Sequence, residues 1–444
     1  MEIDTLLQPF QRFGVHLGLE RIHKLLADLG NPHHQVPIIH VAGTNGKGSV
    51  CAYLSAVLTE AGYKVGRYIS PHLIEWNERI CINEQPITTA AFQELLLQVK
   101  DTIPEDTEDS PTQFEAITAA AWLYFAQQKV NIAVIEVGLG GRLDATNVCN
   151  PLISIITSIS REHWQILGPT LADIAREKAG ILKSGCPAII GQLPPEAKAV
   201  VEQRINELGC PVVWVKPAEK LLSRGDASSL KLRVPAHHTK GGGEESSFLS
   251  QNWAEYEGIK YPLPLLGDIQ LSNSAIAIAS LQILRDQGWK ITDQAITSGM
   301  AKTTWQGRLQ WTTWKNRRLL IDGAHNPAAA IALRQYVDTL QTPVTWVMGI
   351  LSTKDHADIF SALLRPSDQL YLVPVPDHSS ADPDALAILA QNICPELAHC
   401  SSYSNLETGL EAAFSNTLET SKQLIVLCGS LYLVGHFLQQ NGEP

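Results

Sequence analysis

Short apolar runs alternate with helical periodicity through the first two-thirds of the chain. The run at 38–42 ends at a glycine, and apolar residues then recur on one helical face from Val50 to Ala61, with Gly62 placed to end that helix. Further extended runs are predicted at residues 64–68, 132–135, 152–157 and 187–190. Short apolar strands separated by helices are typical of a parallel sheet that helices cover on both faces.

Two interruptions divide the rest of the chain. Residues 222–258 are polar and contain three successive glycines, which predicts a long loop or an irregular hairpin at the surface. The helical pattern breaks again near 299–307, and a second series of strands and helices follows. The chain is therefore predicted to be an α/β protein in two domains. Their predicted bounds are a parallel-sheet domain at 1–298, a linker at 299–307 and a smaller, Rossmann-like domain at 308–444.

Composition and charge narrow the class of protein. The length of 444 residues exceeds what one compact core usually holds and fits two or three domains. A hydrophobic content of 45% is enough to bury sizeable cores. A formal net charge of −11 argues against a general nucleic-acid binder, whose surface would be basic. No signal pattern and no apolar run of about 18 residues occurs, so we expect a cytoplasmic protein without membrane spans. Eight scattered cysteines without a CxxC pair favour buried free thiols.

A glycine-rich loop joins the first predicted strand to the helix that follows it. Its sequence is Gly43-Thr44-Asn45-Gly46-Lys47-Gly48-Ser49. The setting directs backbone N–H groups and a helix N-terminus at one point, which suits polyphosphate, and Lys47 would reach the β- and γ-phosphates. The loop is shorter than the usual P-loop pattern, and Gly48 separates the lysine from Ser49. A P-loop and a plain glycine-rich turn are the two interpretations.

Two charged residues occupy positions where the pattern predicts burial. Glu136 ends an apolar strand, and the carboxyl ends of parallel strands are where such sheets bind their ligands. It could supply an oxygen ligand to magnesium, or it could simply be solvated at the strand end. Lys178 lies on the apolar stripe of a helix predicted from Leu171 to Ala179. Such a lysine either extends its charge to solvent or faces a metal or phosphate site.

These segments resemble those of a known enzyme family. Residues 38–49 and 134–148 are similar to the two signature segments of folylpolyglutamate synthases and dihydrofolate synthases, which belong to the Mur-type ligases. The resemblance covers nearly the whole chain. It includes Leu17-Gly18-Leu19-Glu20-Arg21, Ser70-Pro71-His72-Leu73, Glu78-Arg79, Phe114-Glu115, Arg176-Glu177-Lys178-Ala179-Gly180, Gly307-Arg308, residues 322–327, Lys354-Asp355 and Gly429-Ser430.

The resemblance implies a set of site residues. The implied ATP contacts are Thr44, Asn45, Gly46, Lys47, Gly48, Ser49, Asn273, Arg308 and Asp322. The implied magnesium ligands are Ser70, Glu136, His163 and Lys178, the last as a carbamylated side chain that helps hold a second ion. The positions that match pteroate-binding regions are His16, Leu17, Gly18, Gln113, Phe114, Glu115, Leu143, Asp144 and Ala145. His325 and Ser430 match positions that face glutamate and phosphate, and the implied catalytic residues are Lys47, Lys178 and His325.

One position departs from the family. Many relatives have a histidine two residues after the glycine of the adenine-side segment, where this chain has Ile269. Asn273 is present in the same segment. The departure therefore concerns how adenine is stacked, and the resemblance still implies that the protein uses ATP.

The resemblance implies a monomeric ATP-dependent ligase that uses two Mg²⁺ ions and forms an acyl phosphate. Its substrates would be L-glutamate and either dihydropteroate or a reduced folate. Three alternatives are folylpolyglutamate synthesis alone, a Mur-type ligase that extends a cell-wall precursor, and a P-loop switch without ligase chemistry. The segment Ser70-Pro71-His72-Leu73 argues against the cell-wall enzyme.

Overall fold

The computed structural model describes residues 2–10, 17–103, 110–221, 252–415 and 423–442. His16 and most of the predicted loop at 222–258 therefore lie outside the described residues. No helix in these ranges is long and apolar enough to cross a membrane. All eight cysteines are free thiols and seven of them are buried, which confirms that prediction.

A large sheet forms the centre of the N-terminal part. Its strands are β1 (Ile38–Ala42), β2 (Val65–Tyr68), β3 (Ile80–Ile82), β4 (Gln85–Pro86), β5 (Ile132–Glu136), β6 (Ile153–Ile156), β7 (Ala188–Ile190) and β8 (Val212–Trp214). Their order in the sheet is β4-β3-β2-β5-β1-β6-β7-β8. The six strands from β2 to β8 in this order are parallel, and β3 and β4 add an antiparallel edge.

Helices cover both faces of this sheet. They are α1 (Ile3–Leu7), α2 (Glu20–Asp28), α3 (Lys47–Glu60), α4 (Thr89–Asp101), α5 (Gln113–Gln127), α6 (Trp164–Leu167), α7 (Leu171–Ala179), α8 (Pro195–Leu208), α9 (Ile269–Asp286) and α10 (Asp293–Lys302). Short 3-10 helices lie at Gln8–Phe10, Pro32–His34, Trp76–Arg79 and Ala145–Val148. Ile39 packs with residues of α3, α9 and α10, whereas its neighbour Ile38 packs with α2, α4 and α5. Successive residues of a strand point to opposite faces, so two cores share one sheet. The predicted parallel sheet with two covered faces is confirmed.

A small antiparallel sheet lies beside this domain. Its strands are β9 (Glu219–Leu221), β10 (Trp253–Tyr256) and β11 (Ile259–Pro262). Ala254 and Tyr256 are buried in the core that also contains α9. Residues 253–256 of the segment predicted as a long loop or irregular hairpin form a hairpin with β11. The predicted surface position is wrong for Ala254 and Tyr256, because alternate residues of β10 pack inward.

The C-terminal part contains a second α/β unit. Its strands are β12 (Gln310–Trp314), β13 (Arg317–Ile321), β14 (Val344–Met348), β15 (Gln369–Leu372), β16 (His399–Ser402) and β17 (Leu424–Cys428), in the order β12-β13-β17-β14-β15-β16. Its helices are α11 (Pro327–Asp338), α12 (His356–Leu363), α13 (Pro383–Ile393), α14 (Leu406–Ser415) and α15 (Leu431–Gln440). All strand pairs are parallel except β12 with β13. The predicted fold class, an α/β protein with two sheet domains, is confirmed. The predicted linker begins inside α10, and the connection to β12 spans residues 303–309.

Candidate active site

The glycine-rich loop lies between the end of β1 and the start of α3. Gly46 caps the helix with φ at 89°, a left-handed value that glycine adopts without steric cost. The Thr44 N–H donates to the Ser158 carbonyl at 2.8 Å, so the residues after β6 hold the loop in place. A Cβ on Gly48 would overlap the indole of Trp305, which packs directly against the helix start. Backbone N–H groups at the N-terminus of α3 thus face the cavity that residues 44–49 line.

Three charged side chains predicted from the sequence converge beside this loop. The Lys47 Nζ lies 3.9 Å from Glu136 Oε1, and it donates to the carbonyls of Gly43 and Thr44 at 3.1 and 3.2 Å. The Lys178 Nζ donates to the same Gly43 carbonyl at 2.7 Å. Lys178 is 5% exposed, so this lysine does not reach solvent along its helix. The structure brings Lys47, Glu136 and Lys178 into one cavity.

Burial shifts the pKa of two of these groups toward neutrality. It raises the pKa of the Glu136 carboxyl to about 7, although Lys47, the Ser70 N–H and Arg308 oppose the shift. Burial, and then the positive charge of Lys47, lower the pKa of the Lys178 amine to about 7. Because the site destabilises both a carboxylate and an ammonium, it favours a ligand that places a charge of opposite sign beside each of them.

The donors beside Glu136 suit a hard cation. Ser70 lines the same cavity, and its hydroxyl is buried without a hydrogen-bond partner among the described residues. His163 also lines the cavity, from its rim, where its side chain is 42% exposed. No cluster of three His, Cys, Asp or Glu that could hold a metal occurs within the described residues. Magnesium commonly uses one or two carboxylates with phosphate oxygens and water, so a hydroxyl and a carboxylate beside a phosphate loop fit that ion.

Residues near the connection between the domains complete the cavity, whose volume is about 750 Å³. Asn273, Arg308, Asp322 and His325 all line it, together with Ile269 at the start of α9. Asp322 accepts the N–H groups of Leu309 and Ala324 at 2.9 and 2.8 Å. Burial raises the pKa of Asp322, and Arg308 opposes that shift. The implied ATP contacts of both domains therefore face one space.

His325 has an acidic partner that the sequence did not reveal. Its Nε2 lies 3.1 Å from Glu162 Oε1, and its Nδ1 lies 2.8 Å from the Gly323 carbonyl. Both partners are hydrogen-bond acceptors, so the His325 ring can donate an N–H to either of them. Burial by itself would raise the pKa of Glu162, but His325, Lys47 and Lys354 outweigh it and hold that pKa well below its usual range. Only the position of Glu162, directly before His163, could have drawn attention to it.

A smaller cavity of about 280 Å³ adjoins the first one. It is lined by Arg161, Glu162, His163, Gln165, Ile166, His325, Asn326, Pro327, Thr353, Lys354 and Asp355. Glu162, His163 and His325 line both cavities. The Lys354 Nζ lies 3.7 Å from Glu162 Oε1, and the Arg161 side chain is about half exposed. Cations from both domains thus surround a compact space next to the phosphate loop.

The positions that match pteroate-binding regions lie outside the lining of the large cavity, although Phe114 packs against Gly138, which lines it. Leu17, Gly18, Gln113, Phe114, Glu115, Leu143, Asp144 and Ala145 do not line the large cavity. Asp144 accepts the N–H groups of Leu139 and Thr146 at 2.8 and 3.0 Å, and Ala145 packs in the core. Glu115 closes a capping box at the start of α5 and receives Arg21 Nε at 3.1 Å. These contacts stabilise the fold around Asp144, Ala145 and Glu115, and the implied contacts of these positions with pteroate stay a prediction.

Ser430 also has a structural role. It is the N-cap of α15, its hydroxyl accepts the N–H of Tyr432 at 3.2 Å, and it is 2% exposed. Ser430 does not line either cavity, whereas the next residue, Leu431, lines the larger one. Its implied contact with glutamate or phosphate stays a prediction.

Comparisons with known proteins agree with this geometry. A family model described as the Mur ligase middle domain matches residues 41–281, and one described as the C-terminal domain of dihydrofolate synthetase matches residues 307–440. The folylpolyglutamate synthase of Lacticaseibacillus casei is 35% identical, with 96% of this chain and 95% of the relative covered. This chain belongs to the folylpolyglutamate synthase and dihydrofolate synthase family. It is an ATP-dependent ligase of the Mur type, as predicted.

Other members are similar over their whole length. The dihydrofolate synthase/folylpolyglutamate synthase of Bacillus subtilis is 32% identical, with 95% of this chain and 94% of the relative covered. A Mycobacterium tuberculosis folylpolyglutamate synthase complexed with ADP and AMPPCP superposes with a TM-score of 0.83 at 28% identity, covering 100% and 98% of the chains. A bifunctional family member with Mn, AMPPNP and L-glutamate bound has a TM-score of 0.81 at 28% identity, with the same coverage.

Proposed function

We propose that this ligase joins L-glutamate both to dihydropteroate and to reduced folates through an acyl phosphate. The observation that carries the proposal is the convergence of Lys47, Glu136, Lys178 and His325 beside one phosphate loop at the junction of the two sheet domains. The domain bounds, the cytoplasmic location and the monomeric state stay predictions.

ATP would lie in the large cavity with its phosphates on the loop at 43–49. The apolar side chains of Leu266, Ile269 and Leu333 line the same cavity and offer a surface for adenine. Lys47 and the N-terminus of α3 would face the β- and γ-phosphates. Arg308, which reaches the cavity from the connection between the domains, would add a second cation to the phosphates.

Ser70, Glu136 and His163 would hold Mg²⁺ against those phosphates. Bound there, the ion would neutralise charge on the phosphate oxygens during transfer. A cation at this point would also explain two features of the site. These are the buried hydroxyl of Ser70 without a partner and the raised pKa of Glu136.

Lys178 would be carbamylated. With a pKa of about 7, much of its amine is neutral near neutral pH, and the neutral amine is the form that reacts with CO₂. The nitrogen forms a bond to carbon and loses a proton, which leaves an anionic carbamate. That anion would offset the charge of Lys47 and offer oxygens to a second metal ion.

The carbamate has a direct spectroscopic test. Enzyme equilibrated with ¹³C-bicarbonate should give a ¹³C carbamate resonance that is missing in Lys178→Arg, which keeps the charge but cannot be carbamylated. An active wild-type enzyme without that resonance would contradict the proposal.

Glutamate would bind in the small cavity. Its two carboxylates need cationic partners, and Arg161 and Lys354 approach this space from different domains. Because both cavities share His325 and Glu162, an amine in the small cavity would face an acyl group in the large one. Glu162, whose pKa is held well below its usual range, would stay ionised and accept a hydrogen bond from that amine.

The reaction then proceeds in two steps. A carboxylate oxygen of the acceptor attacks the γ-phosphorus, and ADP leaves. The glutamate amine attacks the acyl carbon, the bond to phosphate breaks, and the departing phosphate takes the proton that the nitrogen loses. Lys47 and Arg308 would stabilise charge that develops on the phosphate oxygens in the first step. Contact between the domains would exclude water, which otherwise hydrolyses the acyl phosphate.

The acceptor can be tested by product mass. Relatives named for one activity and for both are similarly identical to this chain, at 35% and 32%, so they do not separate the alternatives. Purified enzyme given dihydropteroate, ATP, magnesium and glutamate should form dihydrofolate, and with tetrahydrofolate it should add glutamate. Addition of glutamate to tetrahydrofolate without any formation of dihydrofolate would indicate that the enzyme is a folylpolyglutamate synthase only. ATP turnover that depends on neither acid would indicate the P-loop switch.

A further inference from the structure

Two asparagines form a reciprocal amide pair across the domains. Asn45 Nδ2 donates to Asn326 Oδ1 at 3.2 Å, and Asn326 Nδ2 donates to Asn45 Oδ1 at 3.0 Å. Each side chain thus uses its donor and its acceptor on the other. The two residues are 281 positions apart in sequence, one in the phosphate loop and one at the start of α11. Asn326 is 3% exposed, whereas Asn45 is half-buried at the cavity wall, so the pair is shielded from water on its Asn326 side.

The phosphate loop is consequently held from two sides. The N-terminal domain holds the Asn45 backbone, whose N–H donates to Ser158 Oγ at 3.0 Å and whose carbonyl accepts from Thr157 Oγ1 at 2.7 Å. The C-terminal domain holds its side chain through Asn326. Opening the domains would break only the second set of contacts, because the first lies within one domain.

The neighbours of the pair connect it to the reacting groups. Lys47 follows Asn45 by two residues, and His325 directly precedes Asn326. The pair therefore joins the segment that carries the phosphate-facing lysine to the segment that carries the interdomain histidine. Asn326 has one further contact, because its Oδ1 caps α11 by accepting the N–H of Ala329 at 2.9 Å.

We propose that Asn45 and Asn326 are positioning residues that align the phosphate loop only when the C-terminal domain is docked. The proposal rests on the proposed ligase function, since it ties phosphoryl transfer to the closed arrangement in which the acyl phosphate is protected. Nucleotide binding to the open enzyme does not require the pair. Turnover does, because Lys47 must be aligned with the γ-phosphate during transfer.

The test separates the pair from the helix cap. Asn326→Ser keeps an N-cap oxygen for α11 but is too short to reach Asn45. Asn405→Ser is the matched control, because Asn405 caps α14 by accepting the N–H of Thr408 at 2.9 Å and is exposed. We expect kcat to fall on the order of tenfold in Asn326→Ser, with ADP affinity within about twofold of wild type and no change in Asn405→Ser.

A double-mutant cycle tests whether the two amides act together. Asn45→Ser combined with Asn326→Ser should lose no more kcat than the worse single variant. Losses that multiply, or an Asn326→Ser enzyme with wild-type kcat, would overturn the proposal.

Hydrogen exchange supplies a readout that does not depend on ligase activity. Amides of residues 43–49 should exchange several-fold faster in Asn326→Ser than in Asn405→Ser. Equal exchange would overturn the pairing. A wild-type enzyme without glutamate-dependent turnover would instead contradict the proposed function, and the exchange measurement would still test the pair.

Discussion

The phosphate loop at 43–49 and the pteroate-matched segment at 143–145 were both identified from sequence, but their surroundings in the structure differ. Residues 44–49 all line the large cavity. In the second segment, Asp144 binds backbone N–H groups of its own loop and Ala145 packs in the core. The residues of one motif line a cavity, and those of the other form contacts within the fold.

The difference follows from how each motif works. A phosphate loop acts through backbone N–H groups, whose direction is set locally by the strand, the glycine turn and the helix start. A side-chain motif acts only if tertiary packing leaves the side chain free. Asp144 is buried and its hydrogen bonds are formed within residues 138–147, so its pattern in sequence does not distinguish a substrate contact from a structural one.

The largest effect should come from the phosphate loop. Lys47→Ala should lower kcat by about 10²–10³-fold, because the lysine interacts with charge that forms in the transition state. Thermal unfolding should change little, since Lys47 makes its hydrogen bonds at the cavity wall. Lys100→Ala, at an exposed site in the last turn of α4, is the control. Steady-state kinetics with normal kcat would remove the loop from the mechanism.

Asp144→Asn should affect folding first. Its amide group would meet the N–H of Leu139 or Thr146, and a buried donor without an acceptor costs about 1–3 kcal/mol. Urea unfolding should show this loss, with Asp286→Asn at an exposed position as the control. If the free energy of unfolding is unchanged and only the KM for dihydropteroate rises, Asp144 is a substrate contact. The two motifs would then both bind ligands, and the difference drawn between them would be wrong.

Ser430→Ala should have the smallest effect. Loss of the α15 cap should lower the free energy of unfolding by about 1 kcal/mol. Thr292→Ala is the matched control, because Thr292 caps α10 by accepting the N–H of Ala295 at 3.0 Å. Equal losses in both variants, with unchanged glutamate KM, would sharpen the structural interpretation. A glutamate KM that rises in Ser430→Ala but not in Thr292→Ala would indicate that Ser430 contacts the substrate.

Periodicity predicted those parts of the fold in which burial is regular. The strands β1, β5 and β14 appear as apolar runs because both faces of their sheets are covered. The helix α7 has the bounds predicted for it, Leu171 to Ala179, and Lys178 is indeed on its buried side. Short or exposed strands such as β8 and β9 lack this signal, since their side chains are mostly solvated.

Contacts between distant segments could not be predicted. Glu162 meets His325 only because the second domain docks against the loop that follows β6, and no local pattern encodes that distance. The pairing of Asn45 with Asn326 arises in the same way. Both asparagines lie in segments identified from the sequence, 43–49 and 322–327, but the pairing between these segments depends on tertiary structure.

Oxygen transfer tests the central claim most directly. Dihydropteroate carrying ¹⁸O in both carboxylate oxygens would be incubated with enzyme, ATP, magnesium and glutamate, and the released phosphate analysed by mass. An acyl-phosphate ligase transfers one ¹⁸O to phosphate for each amide formed and keeps the other in the amide carbonyl. Phosphate free of ¹⁸O alongside amide product would contradict the account.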